Sequence, residues 1–159
     1  VKLETLLKEG KIRKIRETEL ERYVNFFENS YKENLEHSKA NMESFPRWSI
    51  ISGYYAMHDI TKLFLAKRFR IKVEREVHST TIKVLKEIVK RRDILRLMEI
   101  AYKEFLSMAQ DLEEARKERI KAQYYTGTKF MKEEYRRRAK NFIASVVEKY
   151  IEKMRRLIR

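Results

Sequence analysis

The sequence contains very few of the residues that make turns, and it contains no cysteine. Its 159 residues include 3 glycines and 1 proline. Without cysteine, disulfides, thiolate metal sites and cysteine nucleophiles are excluded. β-Sandwiches and barrels need more turn residues than this chain has. Glycine-rich phosphate loops are excluded too, because the glycines lie far apart, at positions 10, 53 and 127.

Long apolar runs are also lacking. No run approaches the roughly 18 apolar residues that a membrane-spanning helix needs, and charges are spread through the first 15 residues, VKLETLLKEGKIRKI. The sequence therefore predicts neither a membrane span nor a secretory signal. We expect a cytoplasmic protein with no membrane partner. Its abundance of Lys, Arg and Glu is typical of thermophilic, archaeal-type proteins.

Apolar residues recur instead at helical spacing. Several stretches carry them at steps of three and four, as Leu20, Val24, Phe27 and Tyr31 do. The stretch after Pro46 is apolar on most of its circumference, which is typical of a central helix. We predict an all-α fold without strands: an up-and-down antiparallel four-helix bundle with an additional short helix. We divide the chain into an N-terminal short helix or arm (1–16) and the helical bundle (17–159).

Three positions carry more local predictions. Pro46 suits the first turn of the central helix, because proline lacks an N–H and its φ angle is fixed near the helical value. Gly53, inside that helix, would let a neighbouring helix approach closely. Ser79 is the expected N-cap of the additional short helix.

The net charge of +14 is concentrated in the second half of the chain. Residues 1–76 contain 16 Lys and Arg against 12 Asp and Glu, and residues 77–159 contain 22 against 12. A charge excess of this size favours a polyanionic partner, through long-range attraction and counterion release. We therefore expect a nucleic acid or a nucleotide as the partner.

The histidines give no sign of a metal site. Carboxylate-bridged di-iron bundles use Glu-x-x-His pairs, but none of His37, His58 and His78 follows a glutamate at that spacing. We expect no metal and no cofactor. His58 is expected to be a hydrogen-bonded core histidine, and His78 to lie where the short helix begins.

The segment 115–127, ARKERIKAQYYTG, is the main candidate for binding. The apolar stripe of its predicted helix continues through Arg119, whereas Arg116 and Lys121 fall off that stripe. A guanidinium on a buried face needs a partner, which could be a structural carboxylate or a bound anion. Arg136 begins an arginine run near the following turn. The candidate nucleic-acid or nucleotide-binding residues are Arg119, Tyr124, Tyr125, Arg116, Lys121 and Arg136.

Three motifs in order resemble the HEPN-domain superfamily, in particular its small stand-alone prokaryotic and archaeal members. They are Tyr-Tyr-Ala-Met-His-Asp at 54–59, His78, and Arg119-x-x-Ala-Gln-Tyr124. The resemblance implies a helical bundle that often forms a homodimer and acts on RNA or nucleotides. It also implies a minimal nucleotidyltransferase as a protein partner, in a toxin–antitoxin pair.

The catalytic members of that superfamily are metal-independent ribonucleases, in which a histidine follows the arginine by a few residues. Here Arg119 is followed by Gln123, Tyr124 and Tyr125, with no histidine. Because an unperturbed tyrosine has a pKa near 10, it is a poor general base at neutral pH. We therefore expect binding of RNA or nucleotide, or pairing with a nucleotidyltransferase, without efficient catalysis. Two alternatives stay open: a metal-independent endoribonuclease toxin with tyrosine in place of histidine, and a structural dimerisation module with Arg119 in an interface ion pair.

Overall fold

The computed structural model describes residues 2–121 and 128–159, without the side chains of residues 109, 111–121 and 128–131. The described part is mostly helical, which confirms the predicted helical class. The elements in chain order are α1 (Leu3–Lys8), β1 (Ile12–Lys14), α2 (Glu17–Ala40), α3 (Pro46–Phe69), β2 (Ile71–Val73), α4 (Val77–Ile88), α5 (Arg92–Lys121), α6 (Thr128–Phe142), a π-helical segment (Ile143–Val147) and α7 (Glu148–Ile158).

The prediction that the chain has no strands was wrong. β1 and β2 form a two-stranded antiparallel sheet in which Ile12 pairs with Val73. Both strands have only three residues, which is too short for an alternating pattern to stand out from the surrounding sequence. Leu6 of α1 and Ile12 of β1 are buried in the main core. The N-terminal segment, predicted as a short helix or arm, is thus joined to the rest of the described chain by backbone hydrogen bonds and by core packing.

Helix α3 lies at the centre of the molecule, as its sequence predicts. Pro46 is in its first turn, and 16 of its 24 residues are buried. It packs against α2, α5, α6 and α7. The helix ends where Arg70 adopts a left-handed conformation with φ 53°, and β2 follows directly.

Helices α2 and α3 run antiparallel and approach closely. Ser38 Oγ donates to the Ser49 carbonyl at 2.6 Å, and Ser49 Oγ donates back to the Ser38 carbonyl. Gly53 lies next to this pair. A Cβ at position 53 would lie 2.9 Å from Ser38 Oγ and 3.1 Å from Val147 Cγ2. The expected use of Gly53 for close helix approach is confirmed.

The last part of the chain packs on α3 and α5. Tyr150 of α7 is fully buried, and its hydroxyl lies 2.6 Å from Thr61 Oγ1 of α3. Lys153 forms an ion pair of 3.0 Å with Asp93 at the start of α5. Further along α5, Glu104 accepts a hydrogen bond from Arg138 of α6. Because these two contacts pair residues in opposite order, α5 runs antiparallel to α6 and α7.

The predicted N-cap of the short helix was wrong. Helix α4 begins at Val77, and its N-cap is Glu76, with φ 47°. Ser79 lies within the first turn, where its hydroxyl donates to the Glu76 carbonyl at 3.2 Å. Glu76, in a left-handed conformation, ends the connection from β2 and places the helix start at Val77 rather than after Ser79.

Candidate functional site

Most of the predicted binding residues lie outside the part of the chain whose side chains are described. Arg116, Arg119 and Lys121 are in the helical backbone of α5, but their side chains are outside that description. Tyr124 and Tyr125 fall between the described segments. Only Arg136 can be placed with its contacts.

Arg136 of α6 contacts the turn between α2 and α3. Its Nε donates to the Glu43 carbonyl at 2.7 Å, and its Nη1 pairs with Glu133 one turn earlier. Lys140, one turn further along α6, forms an ion pair of 2.6 Å with the Glu43 carboxylate. This ion pair with Lys140, helped by the charge of Arg136, lowers the pKa of Glu43. The predicted residue is thus already paired with acidic groups, although exposed ion pairs of this kind are weak and can exchange for another anion.

The Tyr135 ring contacts guanidinium groups from two helices. The Arg47 guanidinium of α3 lies over its ring at 5.6 Å, and the Arg138 guanidinium of α6 lies over it at 5.7 Å. Arg138 also donates to Glu104 Oε1 at 3.0 Å and to Ser107 Oγ at 3.1 Å. Through these contacts α6 packs against α3 with Tyr135, which meets Arg47, and against α5 with Arg138.

Large aromatic side chains are exposed beside these cations. Phe45 and Trp48, at the start of α3, are 59% and 54% exposed. Arg47 lies between them in sequence, and Arg137 on α6 is exposed. Neither arginine forms an ion pair with another residue whose side chain is described. We call this region the basic-aromatic surface, and it comprises Phe45, Arg47, Trp48, Tyr135, Arg136, Arg137, Arg138 and Lys140.

A separate polar cluster lies inside the molecule, between α3 and α4. The Tyr54 hydroxyl is 2.6 Å from His58 Nε2 and 2.9 Å from His78 Nδ1. Tyr54 is fully buried, His58 is 1% exposed and His78 is half-buried. One hydroxyl therefore connects a core histidine to a histidine at the surface. We call His58, Tyr54 and His78 the histidine relay.

Aromatic rings from α3 and α5 enclose the relay. Phe105 of α5 stacks on Tyr54 with a centroid distance of 4.4 Å, and on His78 at 5.4 Å. Tyr102 lies 6.3 Å from His78 in a stacked arrangement. Tyr55, which is 40% exposed, meets the edges of both His78 and Phe105. These contacts leave His78 in a partly open, ring-lined position.

Burial keeps both relay histidines neutral. It lowers the pKa of His58 to about 3, with smaller contributions from His78 and from the positive charge of Lys62. Burial and Lys62 also lower the pKa of His78. The Tyr54 pKa is raised, chiefly because its phenolate would be buried. At neutral pH, the relay therefore consists of two neutral imidazoles joined by hydrogen bonds to one neutral phenol.

A buried acid and a half-buried amine lie on the adjoining side of α3. Asp59 Oδ2 accepts hydrogen bonds from Ser30 at 2.7 Å and from Asn34 at 2.8 Å, both on α2. Burial nevertheless raises the pKa of Asp59 and lowers that of Lys62. The Lys62 ammonium lies 5.1 Å from the Phe27 ring centroid. Lys62 is the positive charge that acts on the relay.

The sequence located part of this arrangement. His58 is in the core as expected and bonds through Nε2. Its Nδ1 is buried without a partner among the residues whose side chains are described, so the expectation of a fully hydrogen-bonded histidine was half right. The relay itself was missed. The four-residue spacing of Tyr54 and His58 on an apolar helix was the available signal, but it does not identify His78 as the third member.

Two further features concern metals and membranes. Within residues 2–121 and 128–159, leaving out the undescribed side chains, no group of three or more acidic or histidine side chains could hold a metal ion. No helix in the same part of the chain is long and apolar enough to cross a membrane.

Comparison with known proteins gives no relative. No protein-family model, curated protein or solved structure matches this chain. The resemblance to the HEPN superfamily therefore depends on the three sequence motifs alone, and membership stays a prediction.

Proposed function

We propose that this chain is a HEPN-type helical domain that binds single-stranded RNA at the basic-aromatic surface. In this proposal α2, α3, α5 and the α6–α7 segment are the four helices of an up-and-down bundle. The observation that carries the proposal is that Phe45 and Trp48, both largely exposed, flank Arg47 at the start of α3. Arg47 and Arg138 of α6 both lie over the Tyr135 ring. Aromatic faces stack on unpaired bases and guanidinium groups contact phosphates, which is the usual combination in single-strand binding.

The charges of this surface favour a flexible polyanion. Arg47 and Arg137 form no ion pair with other residues whose side chains are described. Arg136 and Lys140 pair with Glu43, whose side chain is 61% exposed. An RNA phosphate can therefore contact Arg47 and Arg137 without displacing a described carboxylate, and it can replace Glu43 at Arg136 and Lys140 at small cost. The net charge of +14 adds long-range attraction.

Salt-dependent binding tests the proposal. We would titrate the protein into a labelled single-stranded RNA of about 16 nucleotides, the upper end of common site sizes, and measure fluorescence anisotropy at several salt concentrations. The double variant R47A/R137A removes two phosphate contacts. It should reduce the slope of log K against log salt by about 1.4, since each contact to a single strand contributes about 0.7.

A matched control separates local contacts from total charge. Arg22 near the start of α2 and Arg96 near the start of α5 are exposed, and they lie at the opposite ends of their helices from the basic-aromatic surface. The variant R22A/R96A removes the same charge and should keep most of the affinity and the slope. Equal losses in the two double variants, or no RNA binding by the unaltered protein, would overturn the proposal.

Trp48 gives an independent readout, because it is the only tryptophan in the chain. Stacking on a base should quench its fluorescence on RNA addition. W48A should weaken binding by about 1–3 kcal/mol, the usual contribution of a stacked base. RNA binding that leaves the emission of Trp48 unchanged would place the binding site elsewhere.

Arg119 and Tyr124 belong to the same proposal. They are the residues on which the resemblance depends, and α5, which carries Arg119, is also the helix that contacts Arg138. R119A and Y124F should therefore weaken RNA binding without changing the far-ultraviolet circular dichroism.

Cleavage of labelled RNA during incubation in EDTA distinguishes the ribonuclease alternative from binding alone. The homodimer and the nucleotidyltransferase partner stay predictions of the resemblance.

A further inference from the structure

The histidine relay contains one buried nitrogen without a partner, and this nitrogen sets the direction of its hydrogen bonds. His58 Nδ1 is fully buried and has no hydrogen-bond partner among the residues whose side chains are described. His58 Nε2 is 2.6 Å from the Tyr54 hydroxyl. Both histidines are neutral at neutral pH, because burial lowers their pKa values. Each ring therefore carries a single proton, on one nitrogen or the other.

The position of the His58 proton follows from this environment. If the proton were on Nδ1, a buried N–H would have no acceptor, which folded proteins rarely tolerate. A proton on Nε2 leaves only a bare lone pair in the core and allows Nε2–H to donate to the Tyr54 oxygen. The Tyr54 hydroxyl has one proton, and it then donates to His78 Nδ1, 2.9 Å away.

This order of donation determines what His78 presents to solvent. Because His78 Nδ1 accepts from Tyr54, the ring proton of His78 lies on Nε2. Nε2 hydrogen bonds to no other residue whose side chain is described, and the residue is half-buried. His78 thus presents a fixed N–H donor at the surface. It cannot act as a proton acceptor there unless the whole relay reverses and leaves a buried N–H of His58 without a partner.

The surroundings of His78 indicate the class of ligand. Tyr55 is 40% exposed and meets the edge of the His78 ring at a centroid distance of 6.3 Å. Lys62 places a positive charge close enough to affect both relay histidines. The Asp59 carboxylate on the same helix is directed to Ser30 and Asn34 of α2. The position combines a fixed donor, a positive potential and an exposed flat ring.

We propose that His78 and Tyr55 form a binding site for a compact aromatic oxyanion. An anionic oxygen of the ligand accepts the hydrogen bond from His78 Nε2–H, and its flat ring packs on the exposed face of Tyr55. Carboxylate and phosphate groups share this chemistry. The site is separate from the basic-aromatic surface, and it does not depend on RNA binding.

The proton positions can be measured on the unaltered protein. Two-bond ¹H–¹⁵N correlation spectra near neutral pH distinguish protonated from bare imidazole nitrogens. We expect the proton on Nε2 in both His58 and His78. A proton on Nδ1 of either ring would overturn the inference, whatever the binding experiments show.

Binding is tested with phenyl phosphate, benzoate and inorganic phosphate, by following the ¹⁵Nε2 and ¹Hε1 signals of His78. Phenyl phosphate and benzoate should shift these signals saturably. Phenyl phosphate should bind about tenfold more tightly than inorganic phosphate, because stacking of a flat ring contributes roughly that factor. Equal binding of inorganic phosphate would mean an adventitious ion only, and the absence of a saturable shift would equally overturn the site.

Neighbouring tyrosines supply the matched variants. Y54F removes the hydroxyl that fixes His78, so His78 should show both neutral tautomers and bind phenyl phosphate several-fold more weakly. Y55F keeps the flat ring and should therefore retain the preference for phenyl phosphate over inorganic phosphate. Y55A should abolish the preference for phenyl phosphate over inorganic phosphate. Unchanged binding in both Y54F and Y55A would exclude the proposed site.

Discussion

Gly53 lets two helices approach closely because glycine has no Cβ atom. It lies in α3, where Ser38 of α2 and Val147 of the π-helical segment both approach it. Ser38 and Ser49 exchange hydrogen bonds with each other's carbonyls beside it. These bonds need the two backbones to be close, and only glycine leaves the space.

The variant G53A should therefore destabilise the protein. The added methyl would lie 2.9 Å from Ser38 Oγ and 3.1 Å from Val147 Cγ2. Overpacking typically costs about 1–3 kcal/mol, and the better helix propensity of alanine offsets up to about 1 kcal/mol of it. Urea denaturation should show a net loss of about 1–2 kcal/mol. In a double-mutant cycle, S38A should make G53A less costly, whereas stability equal to or above that of the unaltered protein would contradict the packing argument.

At the scale of elements, β1 and β2 attach the N-terminal segment to the rest of the molecule. Ile12 is 1% exposed and pairs with Val73, and Leu6 of α1 is fully buried. Arg13 on β1 also forms ion pairs with Glu19 of α2 and with Glu74, just after β2. The ion pair and the backbone hydrogen bond from Arg16 lower the pKa of Glu19 to about 2. Apolar burial makes the larger contribution here, because exposed ion pairs are weak.

A matched pair of isoleucine variants measures this attachment. I12A should lower the free energy of unfolding by about 2–4 kcal/mol, because it leaves a cavity in the core. I100A makes the same substitution on α5, where Ile100 is 40% exposed, and should change stability by no more than about 0.5 kcal/mol. Both values come from denaturant unfolding. If I12A were as harmless as I100A, the segment 1–16 would be an independent arm rather than a part of the core.

For the whole molecule, buried titratable groups determine how stability depends on pH. The folded-state pKa of His58 is about 3, below its ordinary value of 6.5. Between these values the unfolded chain binds more protons than the folded one, so stability falls as the pH falls. Asp59 acts in the opposite direction, since its raised pKa lowers stability as the pH rises above about 3.8. At neutral pH, His58 therefore no longer reduces the free energy of unfolding, whereas the raised pKa of Asp59 still does.

Two variants should separate these effects. H58F removes the buried imidazole, so between pH 7 and 4 it should lose about 2–3 kcal/mol less stability than the unaltered protein, at up to about 1.4 kcal/mol per pH unit. D59N keeps an oxygen that can accept from Ser30 and Asn34 and should be more stable than the unaltered protein above pH 5. Chemical denaturation at a series of pH values measures both. Parallel pH curves for H58F and the unaltered protein would mean that His58 is not held neutral by burial.

The sequence by itself determined where the main helices lie and which of them is central. Helix formation and amphipathicity depend on residues three and four apart, so Leu20, Val24 and Phe27 predict α2, and the apolar circumference after Pro46 predicts the central position of α3. The same local logic identified Gly53. Charge counting likewise identified a basic second half of the chain, because net charge does not depend on folding.

The tertiary structure alone decided which distant residues meet. Arg136 contacts the Glu43 carbonyl across 93 residues of sequence, so a residue predicted to bind nucleic acid or nucleotide is engaged with its own chain. Tyr54 connects His58, four residues away, to His78 on another helix. β1 exists because β2 pairs with it. No local pattern encodes such meetings, because they depend on how the helices pack and on the burial that removes competing water from the polar groups between them.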